Sequence, residues 1–228
     1  MCSQTFFACR EKLPLDGTDF STTALLGFVP GDYFSYDNWK LDFYSQKIPS
    51  SYFRNSWTVA DTGRAIRGWT RVVIIIDSTF DSNNRFARRD SLLFRIGDNG
   101  DVYRWGFLQS LIAARETLNL APQWDRIAAL SLPLGTSWVI ARVDSSIGAH
   151  TNQTVYGTIS ATRDYVGPVT ISGTARAILA YKIEITKPRL DYIFWLTDSP
   201  TSIAEAVDNS DVLTNATQRE LRVIRTRQ

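Results

Sequence analysis

Three groups of residues in this chain have the types and spacing to do chemistry. The first is an apolar run ending in an acid, Val72-Val73-Ile74-Ile75-Ile76-Asp77, within VVIIIDSTFDS. A carboxylate at the end of a buried strand serves as a nucleophile when a metal and charge-neutralising groups surround the phosphoryl group it attacks. The second is Asp98-Asn99-Gly100-Asp101, whose carboxylates could begin a calcium loop. The third is the lone histidine, His150, near Asp144, Ser145 and Ser146; these are the residue types of a hydrolytic triad.

Each group has a plainer reading. The Asp77 stretch resembles the first motif of haloacid-dehalogenase-type phosphatases, and the resemblance implies Asp77 as nucleophile. Thr79 stands where that family has its second acid. Such a site also needs strands alternating with helices, whereas the chain beyond Asp77 reads as strand after strand. The expectation is a buried strand meeting a turn at Asp77. The Asp98–Asp101 stretch lacks the spaced carboxylates and distal glutamate of a calcium loop. Asn99-Gly100 between two β-prone runs is instead the strongest short-range signal for a hairpin. Asp144 to His150 fall in one polar stretch, DSSIGAHTNQ, and no GxSxG elbow is present. We therefore expect no catalytic residue, no metal site and no cofactor. Asn152-Gln153-Thr154 and Asn215-Ala216-Thr217 match the N-glycosylation pattern, which carries no meaning in a bacterial protein.

The elements that must position any site are mostly strands. YFSYDNWKLDFY is aromatic-rich and alternating. In SSYFRNSWTVADTGRAIRGW the alternation puts Phe53, Asn55, Trp57 and Val59 on one face, with a turn expected at Asp61–Gly63. GFLQSLIAARETLNLA has helical spacing at Leu108, Leu111, Ile112 and Arg115, so a short helix is expected near Leu108–Thr117, ended by Pro122. Strands resume in GTSWVIARVDS, QTVYGTISATRDY, PVTISGTARAILAYKIEIT (with a kink at Gly173) and RLDYIFWLTDS. DSPTSIAEAVDNS reads as a loop with one helical turn. RELRVIRTRQ reads as a final edge strand, its charges blocking open-edge pairing. The fold class expected is all-β and mainly antiparallel: a single sandwich, or a strongly curved sheet or barrel, with one short helix.

Composition narrows the function. Of 228 residues, 44% are hydrophobic and 21% charged, as in a globular protein with a substantial core. The net charge of +2 gives no nucleic-acid footprint, and RFARRD and RELRVIRTRQ are short solvated runs. No apolar run reaches the roughly 18–20 residues of a spanning helix.

Both cysteines, Cys2 and Cys9, lie in the first ten residues. Phe6-Phe7-Ala8-Cys9 resembles a bacterial lipobox, with the small Ala8 directly before the cysteine. The resemblance implies that Cys9 is lipidated and becomes the first residue, that 1–8 is the remnant of a signal peptide, and that 9–30 is a lipid-anchored tether before a β domain at 31–228. The polar REKLPLDGTDFSTT suits a tether, and a body without thiols suits an oxidising envelope compartment. In style the chain resembles outer-membrane lipoproteins of Bacteroidota-like bacteria, facing the periplasm or the outside. Its expected partners are the membrane, through the lipid anchor, and a small apolar or sugar ligand. The alternatives are a structural lipoprotein that binds another envelope protein and, third, a hydrolase. Among the strand tryptophans, Trp57 shares a face with Phe53 and Val59 and is expected in the core. Trp69, which follows Gly68, and Trp105 are the candidates for ligand contact.

Overall fold

The computed structural model describes residues 27–112, 122–146, 154–170, 177–187, 190–197, 202–210 and 216–226. Cys2, Cys9, the tether before residue 27, His150, Asn152, Gln153, Gly173 and Asn215 lie outside the described residues. The first half of the chain forms β1 (Tyr33–Lys40), β2 (Phe53–Ile66), β3 (Trp69–Phe80), β4 (Phe86–Ile96), β5 (Val102–Trp105), a short helix α1 (Phe107–Ile112) and β6 (Trp124–Ala128). The second half forms β7 (Ser137–Ser146), β8 (Thr154–Thr170), β9 (Ala177–Lys187), β10 (Leu190–Thr197), β11 (Ile203–Ser210) and β12 (Thr217–Arg225).

These strands make one twelve-stranded antiparallel sheet in the order β6-β5-β4-β3-β2-β1-β12-β11-β10-β9-β8-β7. Every neighbour is also a neighbour in sequence, except that β1 pairs with β12. The sheet is therefore a meander curled on itself, nearly closed into a barrel with its seam between β6 and β7. At the seam the Trp138 indole N–H donates to the Arg126 carbonyl of β6, at 2.9 Å. The barrel side of the expected fold class is the one observed.

Alternation decides what faces the bore. Phe34 and Tyr36 of β1, Trp57 and Val59 of β2, Val73 and Ile75 of β3, Phe94 of β4, Ile183 and Ile185 of β9, and Phe194 of β10 are buried there. Charges such as Arg89, Lys182, Glu184, Glu205 and Arg222 alternate with these inward rows or sit opposite outward residues.

Four expectations need correction. Asp61–Gly63 is not a turn: β2 runs through it with register shifts, and the chain reverses at Arg67-Gly68. Both of those residues have positive φ, 54° and 79°, as a tight two-residue hairpin requires. β3 does not end at Asp77 but continues to Phe80. Most of the expected loop DSPTSIAEAVDNS is β11, paired on both sides. β12 is not an edge strand, because β1 and β11 flank it; the edges are β6 and β7. The Asn99-Gly100 hairpin is present, with Gly97 N–H donating to Asp101 O at 2.8 Å. The helix begins at Phe107, and its expected course through Ala113–Thr117 lies outside the described residues.

Candidate ligand-binding site

Two separate surfaces have the chemistry of a binding site. The first lies outside the barrel. Trp69 and Trp105, singled out from the sequence, fall in one patch. The tight Arg67-Gly68 turn carries Arg67 over the Trp105 ring, at 4.3 Å from its centroid. From β4, Arg95 stacks on Trp69 at 3.3 Å and reaches the Tyr103 ring at 5.2 Å. Trp105 meets Trp124 of β6 edge to face, at 5.5 Å. Trp69 remains 38% exposed. Cations over aromatic faces are attracted by the ring quadrupole, and burial holds the Arg95 guanidinium below its usual range. Among the described residues neither Arg67 nor Arg95 forms an ion pair, so the patch presents flat rings interleaved with cations.

The second surface lies inside. Along several inward rows the chemistry changes from apolar to polar: Phe34, Tyr36, Asn38 on β1; Val59, Trp57, Asn55 on β2; Val73, Ile75, Asp77 on β3. The polar members are joined in a relay across four adjacent strands. Arg219 Nε–H donates to Asn38 Oδ1 at 3.1 Å. Asn38 Nδ2 donates to Asn55 Oδ1 at 2.8 Å, and Asn55 Nδ2 donates to Asp77 Oδ1 at 2.8 Å. A guanidinium only donates and a carboxylate only accepts, so the two ends fix the direction of both amides. Such a chain is strengthened by its own polarisation in a low-dielectric interior.

Arg104 of β5 points into the same bore. It sits opposite Phe94, with its guanidinium 5.7 Å from the Phe94 ring and 5.2 Å from the Phe107 ring. Burial holds it below its usual range, and Tyr192, Arg219, Asp77 and Asp125 lie within electrostatic reach. Tyr192 of β10 packs on Phe107 at 5.4 Å and on Phe194 at 5.6 Å. Burial pushes the Tyr192 and Tyr36 phenols up, so both stay protonated. Tyr36 shares a 2.9 Å hydrogen bond with Ser202. Asp125 accepts from the Leu108 N–H at 2.8 Å and from Gln123 at 3.2 Å, which anchors α1 at the barrel wall. Burial pushes its carboxyl up.

The other sequence candidates resolve as follows. Asp77 is the acceptor end of the relay in mid-strand, within an antiparallel sheet rather than at the end of a parallel one. Asp101 is fully buried; its carboxylate takes the Ser131 N–H at 3.0 Å, the Ser131 hydroxyl at 2.8 Å, Asn99 at 2.8 Å and an ion pair to Arg126. It is a hairpin fastening with its oxygens already engaged. Asp144, Ser145 and Ser146 lie at the end of β7, and His150 is outside the described residues. Sequence reasoning missed Asn38, Arg104, Tyr192 and Arg219. For Asn55 the signal was present: alternation had put it on the face of Trp57, where an amide needs a partner.

No protein-family model matches the chain, and no curated protein matches it in sequence. Among solved structures it is similar to a candidate lipoprotein from Parabacteroides distasonis, at 9% identity and a TM-score of 0.45, over 86% of this chain and 96% of that one. It is similar to a candidate exported protein with a YmcC-like fold from Bacteroides fragilis, at 12% identity and a TM-score of 0.49, over 87% of this chain and 97% of that one. It is also similar to the hypothetical lipoprotein YmcC from Escherichia coli, at 11% identity and a TM-score of 0.32, over 100% of this chain and 99% of that one.

Proposed function

We propose that the protein is a non-catalytic binding module of the bacterial envelope, attached to the outer membrane through Cys9, which takes a saccharide on its outer aromatic patch. The observation that carries the ligand is the patch itself. Trp69 and Trp105 come together there with Tyr103 and Trp124, and Arg67 and Arg95 lie between the rings. A sugar ring is amphipathic: its C–H face covers aromatic carbon while its hydroxyls reach the guanidinium donors. An apolar ligand would leave those cations unsolvated. Support for the anchor is the Ala8-Cys9 pattern together with the absence of any cysteine after Cys9.

The test is a titration with neutral and acidic oligosaccharides, read by tryptophan fluorescence. We expect saturable quenching in the wild type and a loss of affinity of about tenfold in the Trp69→Ala/Trp105→Ala double variant, since each aromatic contact contributes on the order of 0.5–1.5 kcal/mol. Quenching that is absent for every saccharide, or unchanged in the double variant, overturns the sugar reading.

A second reading, assembly with another envelope protein, is favoured by Phe43 and Tyr44. These are 69% and 77% exposed, packed edge to face at 5.4 Å on the small loop closed by the Leu41–Lys47 bridge. Apolar rings displayed on a loop fit a protein partner better than a soluble ligand.

A further inference from the structure

We propose that the bore holds a second site, distinct from the outer patch, for an organic acid: a carboxylate or phosphate head carried on an apolar body. The donors that define it are Arg104, Tyr192 and Arg219, brought together from β5, β10 and β12. Neither the Arg104 guanidinium nor the Tyr192 hydroxyl has a hydrogen-bond or ion-pair partner among the described residues. Arg219 uses Nε on Asn38 and leaves its terminal amines to the bore, beside the Tyr36 and Trp57 rings at 5.2 and 5.4 Å.

The nearby carboxylates act on Arg104 at a distance and hydrogen-bond other groups: Asp77 Oδ1 takes the Asn55 amide, and Asp125 takes the Leu108 N–H and Gln123. Asp208 lies beside Tyr192, with interactions of its own.

The Arg104 side chain is half-buried, and its guanidinium lies over two aromatic rings without a protein acceptor, so its N–H donors have given up part of their water for no hydrogen bond. The aromatic rings under Arg104 recover only part of that cost. Arg104 and Tyr192 both lie against the Phe107 ring, and Arg219 lies by Trp57, which packs on the Phe94 ring near Arg104; the group that would give these donors a common acceptor is an oxyanion, which takes planar guanidinium donors in pairs. The walls beside the cations are Phe94, Phe107, Tyr36 and Trp57. The body attached to the anion is therefore apolar.

The probes are octanoate, octyl phosphate, octanamide and inorganic phosphate, each titrated into the folded protein with thermal unfolding as the readout. A ligand of the native state raises Tm in proportion to its occupancy. Octanoate and octyl phosphate are expected to raise Tm saturably; octanamide and inorganic phosphate are not. Arg104→Gln should weaken octanoate at least about tenfold, the loss of a charged hydrogen bond. Tyr192→Phe keeps the ring packing, removes only the hydroxyl, and should weaken it severalfold; it carries the test if Arg104→Gln does not fold. Arg104→Leu should raise the Tm of the ligand-free protein, whereas an arginine that serves only the fold would lower it when removed.

No shift with either amphiphile overturns the proposal. So does an equal shift with octanamide, which would make the bore merely apolar, or an equal shift with inorganic phosphate, which would make the site one for the free anion. The Trp69→Ala/Trp105→Ala variant should bind octanoate as the wild type does, so failure at the outer patch and failure in the bore read out separately.

Discussion

Trp57→Ala is expected to cost about 3–5 kcal/mol of folding free energy in urea unfolding, the range for removing a large aromatic from a packed core. Trp57 is 1% exposed at the middle of the bore. Its ring meets Tyr36 at 5.1 Å and Phe94 at 5.7 Å, and the Arg219 guanidinium lies 5.4 Å from it. Alanine would remove the contact that joins β1, β2, β4 and β12 through a single side chain. The indole N–H adds nothing to that contact, since Nε1 is buried without a hydrogen-bond partner. Trp57→Phe should therefore be much milder, about 1–2 kcal/mol, reflecting lost area alone. A cost below about 1 kcal/mol for alanine would show that the bore is not packed around this ring. Equal costs for the two variants would show a hydrogen bond at the indole that the geometry denies.

The second large effect is at Asp101. Asp101→Ala should destabilise by about 3–5 kcal/mol, the cost of breaking a buried pair from one side. Four protein groups depend on this carboxylate: the Ser131 amide and hydroxyl, the Asn99 amide and the Arg126 guanidinium. The buried Arg126 Nε already lacks a partner, so this partly exposed arginine would keep only its 3.4 Å contact to the Ser131 hydroxyl. The fastening also ties the β4–β5 hairpin to the β6–β7 connection, beside the seam. Asp101→Asn, which keeps the shape and loses the charge, should fall between alanine and wild type. If Asp101→Ala unfolds within about 1 kcal/mol of wild type, the ion pair is close to neutral and the seam is held by packing.

What the sequence made legible were the features written locally. The Asn99-Gly100 hairpin needs only its own two residues and the β-prone runs beside them. The inward face of β2 follows from alternation, which also set Asn55 beside Trp57. Trp69 emerged as exposed because it follows Gly68 at a chain reversal.

Pairing was not legible, because it is decided between distant segments. IAEAV in β11 has the composition of a helix or loop, and it becomes a strand because β10 and β12 offer ladders on both sides. Its small inward Ala204 and Ala206 leave room for the larger residues opposite. The charges of β12 looked like protection for an open edge. On the barrel Glu220, Arg222 and Arg225 form the outer row while Arg219 turns into the bore, and closure against β1 makes the strand central. The β2 bulges at Asp61–Arg64 imitated a turn because Asp and Gly serve both purposes: Asp61 accepts the Gly63 N–H at 2.9 Å while the strand continues. The bore site was invisible for the same reason as the strand order. Arg104, Tyr192 and Arg219 are far apart in sequence, and no local pattern marks them as neighbours.

The envelope assignment on which the proposed function stands is tested most directly at Cys9. The gene would be expressed from its natural translation start in a Gram-negative host, and the mass of the mature N-terminus measured for the wild type and for Cys9→Ala. The account predicts a diacylated N-terminus beginning at Cys9, recovered with the outer membrane, and its loss in the variant. An unprocessed N-terminus carrying a free Cys9 thiol would contradict it, removing the anchor and the envelope location together.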